Sequence, residues 1–204
     1  ALFNGEGGAF AAILADIGKR EAQARIIEAL PGEAESPLRV VLAQGVSRGE
    51  KMDYTLQKAV ELGVVAIQPL FTERGGIALS GERLDRKLQH WCGIVIGACE
   101  QCGRNRLPEV RAPLTLTTWW LRLAEPGLRL LLDPLAERGL RGLEPPTGMV
   151  TLLIGPEGGL GPAEIAHART VGFTSVRLGP RILRTETAGM AALAAVQALW
   201  GDWV

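Results

Sequence analysis

The chain has 204 residues with 22 basic and 22 acidic side chains, so its formal net charge is zero. Hydrophobic residues make up 47% and charged residues 22%, which suits a globular chain with a sizeable core and excludes disorder, collagen and coiled coil. No stretch approaches the ~18 uninterrupted apolar residues of a spanning helix, so no membrane association is expected.

The start, Ala1-Leu2-Phe3-Asn4, lacks the basic region and cleavage site of a signal peptide. Three cysteines in a chain this long do not make a disulfide framework, which points to a reducing cytoplasm. Charge is uneven along the chain. Residues 38–111 carry 11 basic and 8 acidic side chains, the only basic segment. Duplex-DNA binders show a far larger excess, so any nucleic-acid contact must be a local patch. Arginine outnumbers lysine 18 to 4, favouring planar, bidentate donors.

The first segment predicts two short strands, residues 9–14 and 24–27, with a turn at 16–19. Asn4-Gly5-Glu6-Gly7-Gly8 predicts a hairpin turn, not a phosphate loop, since no GxGxxG or Lys-Ser/Thr follows. Pro31-Gly32-Glu33-Ala34-Glu35-Ser36-Pro37 reads as a linker, placing a domain boundary between residues 37 and 38. Strands are then predicted at 39–44, 64–70, 128–132, 150–154 and 175–178. Between the first two, Met52, Leu56, Ala59, Val60 and Gly63 recur at helical spacing. Further helices are predicted over 83–102, 162–171 and 186–200. Strand runs without polar alternation imply an α/β fold with a parallel sheet covered on both faces.

Several patterns carry candidate chemistry. Gly45-Val46-Ser47-Arg48-Gly49 matches a nucleophile elbow, and Asp133 and His167 follow in hydrolase order. Its fit is poor, because Gly49 interrupts where a helix should launch. Cys99-Glu100-Gln101-Cys102 is a single CxxC with His90 and Cys92 on the same predicted helix, which cannot easily surround a tetrahedral metal. No metal is therefore expected. Gly155-Pro156-Glu157-Gly158-Gly159-Leu160-Gly161 directly follows a buried strand, and four glycines let its backbone approach a ligand closely. A second strand-to-helix loop, Leu178-Gly179-Pro180-Arg181-Ile182-Leu183-Arg184-Thr185-Glu186-Thr187-Ala188, precedes an alanine-rich helix. The two loops are expected to end adjacent strands and to share one pocket.

At these residues the chain resembles the RsmE family of SPOUT methyltransferases, which methylate N3 of a decoding-region uridine in 16S ribosomal RNA. Segments 51–63 (Lys-Met-Asp…Gln-Lys-Ala-Val-Glu-Leu-Gly) and 100–104 (Glu-Gln-Cys-Gly-Arg) agree as well, so four motifs match in order across residues 38–204. The resemblance implies a C-terminal trefoil knot, a homodimer and S-adenosyl-L-methionine (S-adenosylmethionine) bound in the knot. It implies that residues 1–37 are part of a PUA-like β-barrel whose first strands precede Ala1, and that residues 38–204 are the methyltransferase domain.

By resemblance the cofactor would be held by Leu132, Ile154, Gly155, Pro156, Glu157, Gly158, Gly159, Leu178, Gly179, Ile182 and Leu183. Loss of the uracil N3 proton calls for an acceptor and for a cation beside the developing anion. The candidates are Glu100, Glu186, Arg104 and Arg184, with Arg104 and Arg184 favoured as stabilising cations. Arg184 and Glu186 read equally well as a helix cap or salt bridge. Arg48, Lys51, Lys58 and Arg74, with Arg83 and Arg106, are either RNA phosphate contacts or an ordinary solvated face. The expected partner is 16S rRNA within the small ribosomal subunit, recognised largely by shape. A catalytically silent RNA-binding module and a Ser47 hydrolase are the alternatives.

Overall fold

The computed structural model describes residues 1–76, 79–123 and 126–203. Its first unit is an antiparallel hairpin of β1 (Ala9–Ile17) and β2 (Ala22–Leu30), closed where Gly18 N–H donates to the Glu21 carbonyl at 2.8 Å. Both strands run longer than the sequence predicts, and their register slips twice, at 11/12 and 14/16. Such bulges bend a ribbon and raise its twist.

The hairpin leans on the rest of the chain through the glycine-rich segment 4–8 that precedes β1. Gly7 N–H donates to the Asn105 carbonyl, and Leu107 N–H donates to the Gly5 carbonyl. Segment 31–37, expected as a linker, has no regular structure yet is firmly tied down. Glu33 accepts from Gly8 N–H, Glu35 pairs with Arg104, and Ser36 Oγ donates to Gln197 Oε1 at 2.8 Å.

Beyond it come β3 (Val40–Gly45), α1 (Glu50–Glu61), β4 (Val64–Phe71), α2 (Glu82–Cys102), β5 (Glu109–Val110), β6 (Leu114–Thr115) and α3 (Leu116–Trp120). The chain continues with β7 (Gly127–Leu132), β8 (Met149–Ile154), α4 (Pro162–Thr170), β9 (Thr174–Val176) and α5 (Thr185–Trp200). The sheet order is β5-β4-β3-β8-β7-β9, with β6 also on β4, and every pairing is parallel.

Successive side chains on a strand point to opposite faces, and here both faces are dry. Leu42, Leu130 and Leu152 face α1, α2 and α5, where Met52, Leu56, Trp91, Val95 and Leu193 complete one core. Their sequence neighbours Ala43, Leu131 and Leu153 face the other way, onto Leu116, Trp119, Ala168 and Phe173 of the α3–α4 side. That is why the strand runs show no polar alternation. Each fully buried leucine contributes about 1.5–3 kcal/mol relative to exposure.

One expectation is corrected. β8 and β9 are not neighbours, because β7 lies between them. The loops that follow β8 and β9 still reach one another, since both leave the carboxyl edge of the sheet. The β3 and β8 pair marks where strand order reverses, the position at which open α/β sheets hold ligands.

Candidate active site

A cavity of about 600 Å³ opens at this carboxyl edge, between the loops after β7, β8 and β9 and the first turn of α5. Its backbone is folded tightly. Gly159 N–H donates to the Pro156 carbonyl at 2.8 Å, and Gly159 takes φ 69°, a conformation that glycine alone adopts freely. A Cβ on Gly45 would fall 2.5 Å from Pro156 N, so the ends of β3 and β8 meet backbone to backbone.

Beneath the loop lies a buried network of polar contacts among four residues. Thr185 Oγ1 donates to the Gly155 carbonyl at 2.6 Å, and Gln44 Nε2 donates to Thr185 Oγ1 at 2.9 Å and to the Gly45 carbonyl at 3.0 Å. These bonds fasten the β8 loop to the start of α5.

The lining is mixed in character. Leu132, Ile154, Leu178, Ile182 and Leu183 supply apolar wall, and Ile182 is 84% exposed in the isolated chain. Glu157, Glu186 and Asp133 supply carboxylates. Burial pushes the Glu157 carboxyl up, but its own backbone N–H, Arg48 N–H and Lys51 outweigh that and hold it below the usual range. Arg48 N–H reaches Glu157 Oε1 at 3.1 Å, and Lys51 Nζ lies 3.5 Å away. Glu186 Oε2 is buried without a hydrogen-bond partner among the described residues. It sits in the first turn of α5, where a carboxylate is favoured by the helix dipole. Arg184 is the N-cap residue of α5, and its side chain is exposed at the cavity.

The structure thus brings Leu132, Ile154, Gly155, Pro156, Glu157, Gly158, Gly159, Leu178, Gly179, Ile182 and Leu183 to one cavity, together with Arg184, Glu186, Lys51 and Arg74. Arg48 is outside the lining and touches it through its backbone. Other candidates are elsewhere. Arg104, 4% exposed, donates to Glu35 and to the Val60 and Val64 carbonyls, so it braces the core instead of facing a substrate. Glu100 is exposed on α2 and lines no part of the cavity. Lys58 pairs with Glu61 at 2.7 Å, away from the lining, and Arg106 pairs with Glu33.

Sequence reasoning reaches Asp133 only as a hydrolase residue, yet it lines this cavity. It is buried, accepts from Leu135 N–H at 2.9 Å and pairs with Arg169 at 3.1 Å. Its position directly after a buried strand is the signal that could have found it.

The hydrolase arrangement does not form. Ser47 is 3% exposed and donates to the Gly45 carbonyl, Asp133 is held by Arg169, and the His167 ring packs 5.5 Å from Trp120. The cysteines are free thiols, and burial raises Cys99 to about 11. Among the described residues no three His, Cys, Asp or Glu side chains group as metal ligands, and no helix is long and apolar enough to cross a membrane.

This geometry coincides with a known family. The model of an RNA methyltransferase domain matches residues 34–197. The ribosomal RNA small subunit methyltransferase E of Buchnera aphidicola subsp. Schizaphis graminum is 38% identical over 201 residues, covering 98% of this chain and 82% of that relative. The chain belongs to the RsmE family. A methyltransferase from Legionella pneumophila, solved in complex with the bound cofactor SAM, superposes with a TM-score of 0.93 at 43% identity, covering 98% of this chain and 82% of that one. A family member from Neisseria gonorrhoeae, bound to S-adenosyl methionine, gives 0.91 at 41% identity over 99% of this chain and 83% of that one.

Proposed function

We propose that this chain methylates N3 of a decoding-region uridine in 16S rRNA, with S-adenosylmethionine as donor and the small ribosomal subunit as substrate. The carrying observation is the convergence of the loops after β8 and β9 with Arg184 and Glu186 on one cavity.

The residues present fit the cofactor. Its adenosine carries no phosphate, and the cavity offers apolar wall and open backbone in place of a phosphate loop. A volume of about 600 Å³ suits a nucleoside-sized ligand. Leu178, Ile182 and Leu183 would cover the adenine faces, while carbonyls and N–H groups of 155–159 and 178–183 would read its edges. S-adenosylmethionine supplies a sulfonium-activated, electrophilic methyl group.

The remaining work falls to the chain. Uracil N3 lies on the pairing edge and carries a proton, so the base must be unpaired or flipped into the cavity. Glu186, in the cavity lining, accepts that proton. Arg184, exposed beside it, stabilises negative charge developing on the uracil oxygens. Lys51 and Arg74 at the cavity edge hold flanking phosphates.

The reading includes a homodimer in the cytoplasm, a trefoil knot around the cofactor loops, and a hairpin that belongs to a PUA-like RNA-gripping barrel. The exposure of Leu199 and Trp203 near the end of α5 supports a covered face there, which light scattering would report as doubled mass.

The test is labelled methyl transfer to small subunits from cells lacking this modification, followed by nucleoside mass spectrometry. The expected product is 3-methyluridine at one site, with intact subunits preferred over naked rRNA. Methyl on another atom, or none, would remove the reading.

A further inference from the structure

A second depression, about 480 Å³, lies on the other side of the β3–α1 loop from the cavity just described. Ser47 and Gly49 form one wall, and α2 forms the other with Arg83, Arg86, Lys87 and His90. These four fall at i, i+3, i+4 and i+7, a single basic face of the helix. Among the described residues no carboxylate lines the depression.

The neighbouring acids neutralise it only in part. Asp53 pairs with Lys87 at 3.0 Å and with His90 at 2.8 Å. Glu82 approaches Arg86 at 3.8 Å, both side chains largely exposed, a geometry that contributes little in water. Arg83 has no ion pair among the described residues.

One further feature asks for an anion. The α1 N-cap is Gly49, which offers no side chain to the first N–H groups of that helix. Meanwhile the same loop and the first turn of α1 contact the candidate active site, through Arg48 N–H and Lys51 on Glu157.

We propose that this depression is a phosphate subsite for the RNA backbone beside the target nucleotide, placed by the β3–α1 loop next to the reacting base. The assignment rests on the methyltransferase reading for the identity of the RNA, but not for the existence of the subsite.

The experiment measures binding of a fluorescent single-stranded rRNA fragment across a salt series. It uses the full chain and the variants Arg83→Gln/Arg86→Gln, Arg83→Lys/Arg86→Lys and Arg122→Gln/Arg141→Gln. The last pair is exposed and lies outside the depression. The first variant is expected to bind about tenfold more weakly, with a log–log salt slope smaller by about 0.7 for each phosphate no longer neutralised on a single strand. The lysine variant should keep most of the slope, and all variants should keep their thermal shift with S-adenosylhomocysteine. Unchanged binding, or an equal loss in the Arg122/Arg141 control, would overturn the subsite. Inorganic phosphate bound tightly without RNA would reassign it to a small anion and overturn the RNA assignment. RNA binding as expected with no methyl transfer would retain the subsite and sink the enzymatic reading instead.

Discussion

Arg104 and Glu35 form a bidentate ion pair across 69 residues, with Nε donating at 3.0 Å and Nη2 at 2.6 Å. The same guanidinium donates at 2.9 Å to two carbonyls, Val60 and Val64, on either side of the α1–β4 turn. One planar side chain therefore joins segment 31–37, the end of α1 and the start of β4. Arg104→Met should leave Glu35 and two carbonyls without their donor and cost about 3 kcal/mol or more in stability. Urea denaturation would measure it. Affinity for S-adenosylhomocysteine should remain near that of the unaltered chain, whereas a substrate-facing role would spare stability and abolish turnover.

The Gln44–Thr185–Gly155 bonds sit directly under the proposed cofactor loop. Thr185→Val deletes the hydroxyl that links Gly155 to Gln44 while keeping the side chain's shape. Removing a buried hydrogen bond and orphaning its acceptor is worth about 1–2 kcal/mol, so cofactor affinity should fall roughly tenfold. Isothermal titration with S-adenosylhomocysteine reads this directly.

Glu186→Gln keeps the size of the side chain but removes its ability to take a proton. Methyl transfer should slow by about 10²–10⁴ under single-turnover conditions, while the homocysteine product analogue still binds. Parallel loss of rate and binding would make Glu186 a cofactor ligand instead of a base.

Glu157 titrates below the usual glutamate range in the folded chain: burial opposes this, and the N–H groups of Glu157 and Arg48 with Lys51 prevail. A depressed folded value means a contribution fully present above the unfolded value and lost as pH falls through the folded one. Stability should therefore be complete at neutral pH and erode below the ordinary carboxylate range. Glu157→Gln should flatten that acid limb in denaturation curves recorded across pH.

Much of this architecture is legible in the residues. The spacing of Met52, Leu56, Ala59 and Val60 marks α1, and the glycine-rich loop 155–161 with the loop 178–188 marks the cavity. Three things are not. β5, β6 and α3 span two, two and five residues, too short for any period to show. The insertion of β7 between β8 and β9 is a matter of long-range pairing, invisible when every strand is apolar on both faces. Arg104 stands in a motif shared with methyltransferases, yet its environment depends on Glu35, distant in sequence. A motif reports that a residue is retained in a pattern, not whether it faces ligand or core.

Segment 31–37 sets a length. Glu33 and Glu35, two residues apart, hold Arg106 and Arg104, also two residues apart, while Ser36 is fixed to α5 through Gln197. The paired spacing works as a ruler between the hairpin and the sheet, and adding or deleting one residue would leave one pair out of step. In the proposed reading, RNA gripped by the hairpin is thereby held at a set reach from the cavity. The exposed Arg106–Glu33 contact is the end of the ruler that salt would loosen first.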